Sequence, residues 1–318
     1  MAMRREEILC LFPEGSRDRW REVAKKAEDL QEIRFRVGMP LAVWIENREK
    51  FVDEQGRIVD RPEKAMRPAP EELEELLRHL CRYSVYAFAE EIRQGFLTVQ
   101  GGHRVGLAGQ VILDGDGRIK NMKYIRYLNI RIAHQIKGAA NPVIPFIFEE
   151  GHVLNTLLIS PPGGGKTTML RDMIRQVSEG TVYGPGVNVS VVDERSEIAG
   201  SYLGVPQNDV GIRTDVLDGC SKTEGMMMAI RSMAPQVLAV DELGSVEDVQ
   251  ALQMAGGCGC RLLATAHGDS LEKIRHKDYM RYVMDAELFE RYVVLDRKTK
   301  VCRIAGIYDG KGNLCISG

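Results

Sequence analysis

The chain has 318 residues, which is more than one ordinary domain needs and enough for two. Hydrophobic residues make up 44 % and charged residues 28 %, as in a globular protein with a substantial core and unlike a disordered chain. The 43 basic and 45 acidic residues give a net charge of -2. This balance argues against a general DNA-coating role, because such proteins need a basic surface to displace counterions, although a local basic patch stays compatible with it.

The seven cysteines do not read as a disulfide framework, because their count is odd and their spacing scattered. Cys258 and Cys260 resemble half of a metal site, but no second pair stands at the spacing of zinc ligands. We expect reduced thiols packed near the core rather than a metal centre.

Neither a signal peptide nor a membrane span is predicted. Residues 1–10 alternate charged and apolar residues and contain no apolar signal-peptide core. The longest apolar runs, at 143–148 and 237–240, are far shorter than the roughly 20 residues of a membrane helix. We therefore expect a cytoplasmic protein that reaches a membrane only through a partner or a surface.

The first part of the chain, residues 1–137, is predicted to be a smaller α+β domain. Glycine, proline and aspartate turns separate short β-rich segments, and Pro70 begins a helix with an acidic first turn and one leucine-rich face. In chain order the pattern predicts strands at 32–37 and 41–46, two short strands within 51–60, helices at 71–81 and 85–94, and strands at 96–99, 104–113 and 123–132.

A stretch rich in proline, glycine and small residues, 138–145, predicts a hinge, and we assign 138–150 to a linker. The second part, 151–318, alternates buried strands with helical segments, which is typical of a doubly wound α/β sheet that binds ligands at the carboxyl ends of its strands. The predicted elements are strands at 153–160, 187–192, 237–240 and 261–264, a helix from 166 to about 178, and an edge hairpin of strands 292–296 and 302–308 joined by the charged turn 297–300.

A glycine-rich loop follows the first of these strands and leads into the helix. The residues of this loop and the helix start are Pro161, Pro162, Gly163, Gly164, Gly165, Lys166, Thr167 and Thr168. In this context small residues let backbone N–H groups point at the phosphates of ATP, while Lys166 reaches the β- and γ-phosphates and Thr167 ligates Mg²⁺. Ser160 stands where the usual motif has its first glycine, a mild change at a strand end.

Two adjacent acids, Asp241 and Glu242, end the apolar strand at 237–240 and are typical of a Walker B site. Asp241 is expected to hold Mg²⁺ through water, and Glu242 to polarise the attacking water. A pair of acids ends many strands by chance, so this prediction depends on the phosphate-binding loop that precedes it.

Two further strand ends carry polar residues. Asp193 and Glu194 are additional candidate Mg²⁺ ligands, with a solvated strand end and an ion pair to Arg195 as the alternative. His267, in the segment 265–268, lies at a ligand-facing strand end and is predicted to contact the γ-phosphate and report its hydrolysis.

The order of these motifs resembles the ATPases of type II and type IV secretion systems, within the broad AAA/RecA-like class of P-loop NTPases. The segments 231–244 and 263–268 are similar to their Walker B and histidine boxes, with Asp241 where that class often has glycine. A closer resemblance, over nearly the whole chain, is to the stage III sporulation protein AA family of endospore-forming bacteria. It rests on the segments 30–40, 86–109, 128–138, 157–174 and 191–204.

The resemblance implies an ATP hydrolase that uses Mg²⁺ and works as a homo-oligomeric ring, expected to be a hexamer, in a secretion-like apparatus between mother cell and forespore. It implies a mother-cell location and membrane proteins as partners. It also implies that arginines of the N-terminal domain reach a nucleotide, for which Arg93, Arg104 and Arg131 are the candidates as a group. The ATPase part offers Arg213 and Arg231 as alternatives.

Two other functions stay open at this stage. A nucleic-acid motor could share the same core, although the near-neutral charge and the 6 % aromatic content give no strong nucleic-acid signal. A nucleotide-gated scaffold could bind ATP without hydrolysing it, although the intact Lys166, Thr167, Asp241 and Glu242 argue against it.

Overall fold

The computed structural model describes residues 2–296 and 301–317. The chain divides into two compact units, Met1–His134 and Gln135–Gly318. The stretch 138–150, which the sequence assigns to a linker, lies in the second unit. Its apolar side chains are buried there in a cluster that includes Ala140, Val143, Ile144, Ile147 and Phe148.

The first unit is built on a seven-stranded sheet in which every pair of neighbours is antiparallel. The strands are β1 (Leu30–Arg36), β2 (Ala42–Ile45), β3 (Arg48–Val52), β4 (Ile58–Val59), β5 (Phe96–Val99), β6 (His103–Leu113) and β7 (Ile119–Arg131), in the order β4-β3-β2-β1-β7-β6-β5. The helices are α1 (Ala2–Cys10), α2 (Arg21–Ala24), α3 (Pro70–Leu80) and α4 (Ala89–Gln94), with 3-10 turns at Glu14–Trp20, Pro62–Lys64 and Val85–Phe88.

The predicted strands and the helix at 71–81 are confirmed within a few residues. The helix predicted at 85–94 is different: its first turn is a 3-10 helix and only Ala89–Gln94 is α-helical. β-branched and aromatic residues dominate that first turn, and they are weak helix formers. Helix α1 was not predicted, since it carries neither an acidic first turn nor a basic last turn to signal its ends.

The second unit contains an eight-stranded sheet, whose strands are β10 (Thr156–Ser160), β13 (Val189–Asp193), β14 (Thr214–Asp218), β15 (Val237–Leu243), β16 (Arg261–His267), β17 (Arg291–Asp296), β18 (Arg303–Asp309) and β19 (Leu314–Ser317). Their order in the sheet is β14-β13-β15-β16-β10-β17-β18-β19. Two small ribbons add β8 (Phe148–Glu149), β9 (His152–Val153), β11 (Gly180–Thr181) and β12 (Gly184–Pro185), and a 3-10 turn covers Ile144–Phe146. The helices are α5 (Lys166–Glu179), α6 (Lys222–Met233), α7 (Val246–Gly257), α8 (Leu271–Ile274) and α9 (Asp278–Asp285).

The six neighbouring strands β14-β13-β15-β16-β10-β17 run parallel, and β18 and β19 continue the sheet antiparallel. Successive residues of β10 alternate between two apolar cores, because Leu157 and Ile159 pack with helices α6, α7 and α9 while Leu158 packs with helix α5. Helices therefore cover both faces of the sheet, as predicted. After β10 the chain crosses to β13, which places a topological switch point at the carboxyl ends of the central strands.

Parts of this sheet differ from the prediction. Strand β14 was missed because it is a partly exposed edge strand with polar residues at both ends rather than a buried apolar run. Strands β15 and β16 extend to Leu243 and His267, so the polar residues predicted to follow these strands belong to them. The hairpin of β17 and β18 is present, while its predicted turn, 297–300, lies outside the described residues.

None of the helices in the part of the chain that the structure describes combines the length and the apolar character of a membrane-spanning helix.

A buried histidine in the first unit gives a testable pH dependence. His103 is 1 % exposed, and its Nδ1 accepts the N–H of Ala133 at 3.0 Å. The ring proton of the neutral form therefore lies on Nε2, whose carboxylate neighbour is Glu7, 3.5 Å away. Burial, with the nearby charges of His134 and Arg4, lowers the pKa of His103 to about 4. The unfolded chain binds this proton more readily, so folding loses stability as the pH falls.

We expect His103 to contribute a loss of about 2 kcal/mol in unfolding free energy between pH 7 and pH 5. Urea titrations followed by tryptophan fluorescence measure it in the full chain, because both tryptophans, Trp20 and Trp44, lie in the first unit. In His103→Gln this share of the pH dependence should disappear. Equal slopes for wild type and variant across pH 5–7 would contradict the prediction.

Candidate functional site

The loop 161–165 connects β10 to α5 in a conformation that depends on its glycines. Gly163 and Gly165 have φ angles of +71° and +95°, the left-handed region that favours glycine. A Cβ on Gly164 would lie 2.5 Å from Oγ of Ser160, which is buried and donates to the carbonyl of Pro161 at 3.0 Å. The serine that replaces the usual first glycine is thus accommodated by the absence of a side chain at Gly164.

The loop has the features of a cradle for phosphate. Gly165 is the N-cap of the 14-residue helix α5 and, being a glycine, has no side chain with which to cap the N–H groups of the first turn. These groups and the positive end of the helix dipole suit an anion. The first turn contains no acidic residue that would repel it. The residues present therefore fit a nucleotide phosphate.

Lys166, at the start of α5, forms an ion pair with Glu242 of β15. The lysine side chain is 15 % exposed and the glutamate 49 %. Burial alone would raise the pKa of Glu242, but the hydrogen bond and charge of Lys166, with smaller effects of His267 and Arg195, keep this pKa below its ordinary value. The structure therefore brings together the predicted phosphate-binding lysine and the predicted water-polarising carboxylate.

Asp241 occupies an irregular position in β15. The register with β16 shifts between Val240 and Glu242, so Asp241 is an extra residue in the pairing. Such bulges redirect side chains and are common beside active sites. Here Oδ1 of Asp241 accepts a hydrogen bond of 3.0 Å from the hydroxyl of Thr265, which is fully buried. Thr265 lies in the predicted histidine segment, but its role in orienting Asp241 was not predicted.

Asp193 and Glu194, which are adjacent in the sequence, have different environments. The carboxylate of Asp193 is fully buried and accepts the N–H groups of Glu197, Ile198 and Ala199 at 2.8–3.0 Å. Burial raises the pKa of Asp193 to about 6, although these three hydrogen bonds favour its ionised form. Both oxygens thus hold the loop that follows β13, which leaves Asp193 a structural role.

Glu194 instead faces a small cavity of about 140 Å³ and pairs with Lys222 of α6 at 2.7 Å. The charged residues around this cavity are Glu194, Arg195, Glu197, Lys222, Asp241 and Glu242. The carboxylates at the ends of β15 and β13 therefore line the same cavity as the cationic side chains of Arg195 and Lys222. Lys222 lies 28 residues after Glu194, and no local sequence signal connects them.

The loop after β13 is also fixed from the other side. Arg171 of α5 is 8 % exposed and donates to the carbonyls of Glu197 and Ile198. Burial lowers the pKa of Arg171, against the opposing charges of Asp193 and Asp241. This buried arginine links the phosphate-binding helix to the acidic strand end, a connection that sequence periodicity does not reveal.

In the described residues no three His, Cys, Asp or Glu side chains are close enough together to hold a metal ion by themselves. Mg²⁺ commonly takes only one or two protein ligands and completes its shell with water and substrate phosphates. Asp241 and Glu194, with the hydroxyl of Thr167, are oxygen donors of the type that this ion prefers.

His267 lies where it was predicted, at the carboxyl end of β16 and paired in register with Ser160 of β10. Its ring contributes to the low pKa of Glu242, and its carbonyl accepts the side-chain ammonium of Lys277 at 2.6 Å. The histidine is thus near both the loop and the acidic strand end.

The arginines predicted to complete the site lie in the first unit. Arg104 of β6 and Arg131 of β7 are opposite each other in register, and the guanidinium of Arg104 lies 3.7 Å from the ring centre of Phe96. Arg93 of α4 pairs with Glu90 on the surface. In the second unit, Arg213 donates to the carbonyl of Ser178 at 2.9 Å, which is a structural contact at the end of α5. Arg231 is exposed on α6.

The family model "Sporulation stage III, protein AA" matches residues 2–315. The chain belongs to this family. It is similar to the stage III sporulation protein AA of Bacillus subtilis (strain 168), with 38 % identity over 97 % of this chain and 96 % of that protein.

Two solved structures share its fold. One is the ATPase DotB of Yersinia pseudotuberculosis, with a TM-score of 0.55, 13 % identity and coverage of 96 % of this chain and 78 % of that one. The other is the pilus retraction motor PilT with bound ADP, with a TM-score of 0.54, 16 % identity and coverage of 86 % and 76 %. The predicted fold class, a RecA-like α/β domain preceded by an α+β domain, is confirmed.

The different environments of Asp193 and Glu194 predict different stabilities for the variants in which each carboxylate is replaced by an amide. Asp193→Asn should lower the free energy of unfolding by about 2 kcal/mol, because an amide NH₂ faces the N–H donors. Glu194→Gln should stay within about 1 kcal/mol of wild type, since it loses only a partly exposed ion pair. Urea titrations followed by circular dichroism compare them, and an Asn variant as stable as wild type would contradict the assignment.

Proposed function

We propose that this protein is an oligomeric, Mg²⁺-dependent ATPase that powers a secretion-like or channel-assembly apparatus during endospore formation. The main observation behind the proposal is the Lys166–Glu242 ion pair, because it connects a loop of the phosphate-binding type to the acidic end of β15. The family supports the sporulation context, and the fold shared with an ATPase and an ADP-bound motor supports the activity.

In this proposal the loop 161–165 and the N–H groups of Lys166, Thr167 and Thr168 hold the phosphates of ATP. The ammonium of Lys166 turns from Glu242 to the γ-phosphate. This frees the Glu242 carboxylate to accept a proton from the attacking water, and losing the Lys166 contact that held its pKa down makes it a stronger base. His267 lies beside this carboxylate, where it would sense the departing phosphate.

Asp241, oriented by Thr265, and the hydroxyl of Thr167 would hold Mg²⁺, with Glu194 as a further carboxylate around the same cavity. The ion would neutralise charge on the phosphates as the bond to the leaving group breaks. We leave Asp193 out of this set because backbone donors occupy its carboxylate.

A homo-oligomeric ring, expected to be a hexamer, would let one subunit supply charge to the site of the next. Arg104 and Arg131 lie opposite each other on one strand pair and are the strongest candidates, with Arg93 on the neighbouring helix α4. An arginine supplied in this way can accelerate phosphoryl transfer by about 10³–10⁵. The ring would work on the mother-cell side of a membrane, attached through membrane proteins of the sporulation complex.

The first experiment measures Mg²⁺-dependent ATP hydrolysis per subunit as the protein concentration rises. We expect the rate per subunit to climb as rings form and Glu242→Gln to lose at least about a hundredfold. Glu242→Gln should bind MgADP at least as tightly as wild type, because losing the carboxylate charge releases Lys166 from the ion pair.

The matched control is Glu247→Gln, which changes an exposed carboxylate at the start of α7 and should hydrolyse ATP like wild type. A wild-type rate that stays at the Glu242→Gln level at every concentration, despite tight nucleotide binding, would contradict the motor and favour a scaffold.

A mixing experiment tests the arginines. Lys166→Ala should be inactive because it lacks the phosphate-binding lysine, and Arg131→Ala should be slowed by roughly 10²–10³ if this arginine serves a neighbouring site. Mixed rings should recover activity, because intact loops of one variant then meet intact arginines of the other. Arg118→Ala, at an exposed turn, is the control. No recovery in rings shown to be mixed would exclude Arg131 as the residue acting between subunits.

A further inference from the structure

Residues just before β18 contact the phosphate-binding loop: Val301 packs beside Gly165, and Cys302 makes two hydrogen bonds to the loop. The backbone N–H of Cys302 donates to the carbonyl of Gly164 at 2.9 Å. The thiol of the same residue donates to the carbonyl of Gly165 at 3.4 Å. Cys302 lies immediately before β18, so a strand from the far end of the chain is attached directly to the loop after β10.

These two contacts bear on the direction of the loop's N–H groups. In a trans peptide the C=O of one residue and the N–H of the next point in opposite directions. When the carbonyl of Gly164 points away from the phosphate position, the N–H of Gly165 therefore points toward it. When the carbonyl of Gly165 points away, the N–H of Lys166 likewise points toward the phosphate. Those are donors that a phosphate needs.

The contact is tight and conformationally costly. A Cβ on Gly165 would lie 2.5 Å from Sγ of Cys302 and 2.8 Å from its backbone nitrogen, so only glycine leaves room for it. Cys302 itself has a φ of +63°, a left-handed backbone conformation that is strained for a residue other than glycine. A strained residue kept in such close contact with a functional loop indicates a role for the contact.

The chemistry of the thiol suits a donor rather than a nucleophile. The side chain is half-buried, and burial raises the pKa of Cys302 to about 11, so the sulfur keeps its proton at neutral pH. A protonated thiol can donate to a carbonyl, whereas a thiolate beside two carbonyl oxygens could not.

We propose that Cys302 is a positioning residue for the phosphate-binding loop, whose backbone N–H and thiol together hold the Gly164 and Gly165 carbonyls outward. The proposal rests on the proposed nucleotide site and deepens it. It assigns to the C-terminal hairpin a part in nucleotide affinity, and so makes that affinity depend on a segment distant in sequence from every motif of the site.

Cys302→Ala keeps the backbone donor and removes the thiol, and Cys302→Ser restores a side-chain donor. We expect the alanine variant to bind MgADP on the order of fivefold more weakly in titration calorimetry, the equivalent of one modest hydrogen bond. Its KM for ATP should rise by a similar factor while kcat changes less than twofold. The serine variant should lie within about twofold of wild type in both measurements.

The matched control is Cys315→Ala, which removes an exposed thiol from β19 in the same sheet and should leave binding unchanged. Melting temperatures without nucleotide, measured for every variant, separate loop positioning from general destabilisation. Wild-type affinity in Cys302→Ala would overturn this proposal alone. So would a loss confined to kcat, or a serine variant as weak as alanine at an unchanged melting temperature. Failure of the wild type itself to bind MgADP would overturn the proposed function and this proposal with it.

Discussion

The ion pair between Lys166 and Glu242 is the interaction around which the candidate site is arranged. It requires the start of α5 and the end of β15 to meet, although β16 lies between β10 and β15 in the sheet. The parallel order of the strands makes this possible, because all their carboxyl ends reach the same edge. An irregular pairing at Asp241 then separates the two neighbouring acids, one toward Thr265 and the other toward Lys166.

At the acidic end of β13, Asp193 has a structural role and leaves the neighbouring Glu194 available at the cavity. Asp193 accepts three backbone N–H groups, and Arg171 binds the carbonyls of the same loop from helix α5. The loop is therefore held through both its donors and its acceptors, which satisfies polar groups that burial would otherwise leave unpaired. Glu194, one residue later, is then left at the cavity, where Lys222 balances its charge. A carboxylate that lies at the cavity next to such a fixed loop is suitably placed to serve as a metal ligand.

Local signals made most of the fold predictable and pointed to the central residues of the candidate site. The glycine run before Lys166 is a specific short-range pattern, and the acids that end a buried strand gain their interpretation from it. Strand β14 and helix α1 were missed because an edge strand has no apolar run and a helix without end signals has no marked boundary. The roles of Arg171, Lys222 and Thr265 depend on which strands become neighbours, and a sequence pattern does not contain that information. The choice between Asp193 and Glu194 depends on where the following loop turns back, for the same reason.

The three consecutive glycines of the loop are required for different reasons. Gly163 is needed for its left-handed backbone, and Gly164 because the buried hydroxyl of Ser160 occupies the space of its side chain. Gly165 is needed both for its backbone angle and because Cys302 packs against it. The strand before the loop and the hairpin at the end of the chain thus set its shape together. Since the N–H groups follow the carbonyls that these neighbours hold, the loop is preorganised for an anion by packing on its outer side as well as by the helix dipole on its inner side.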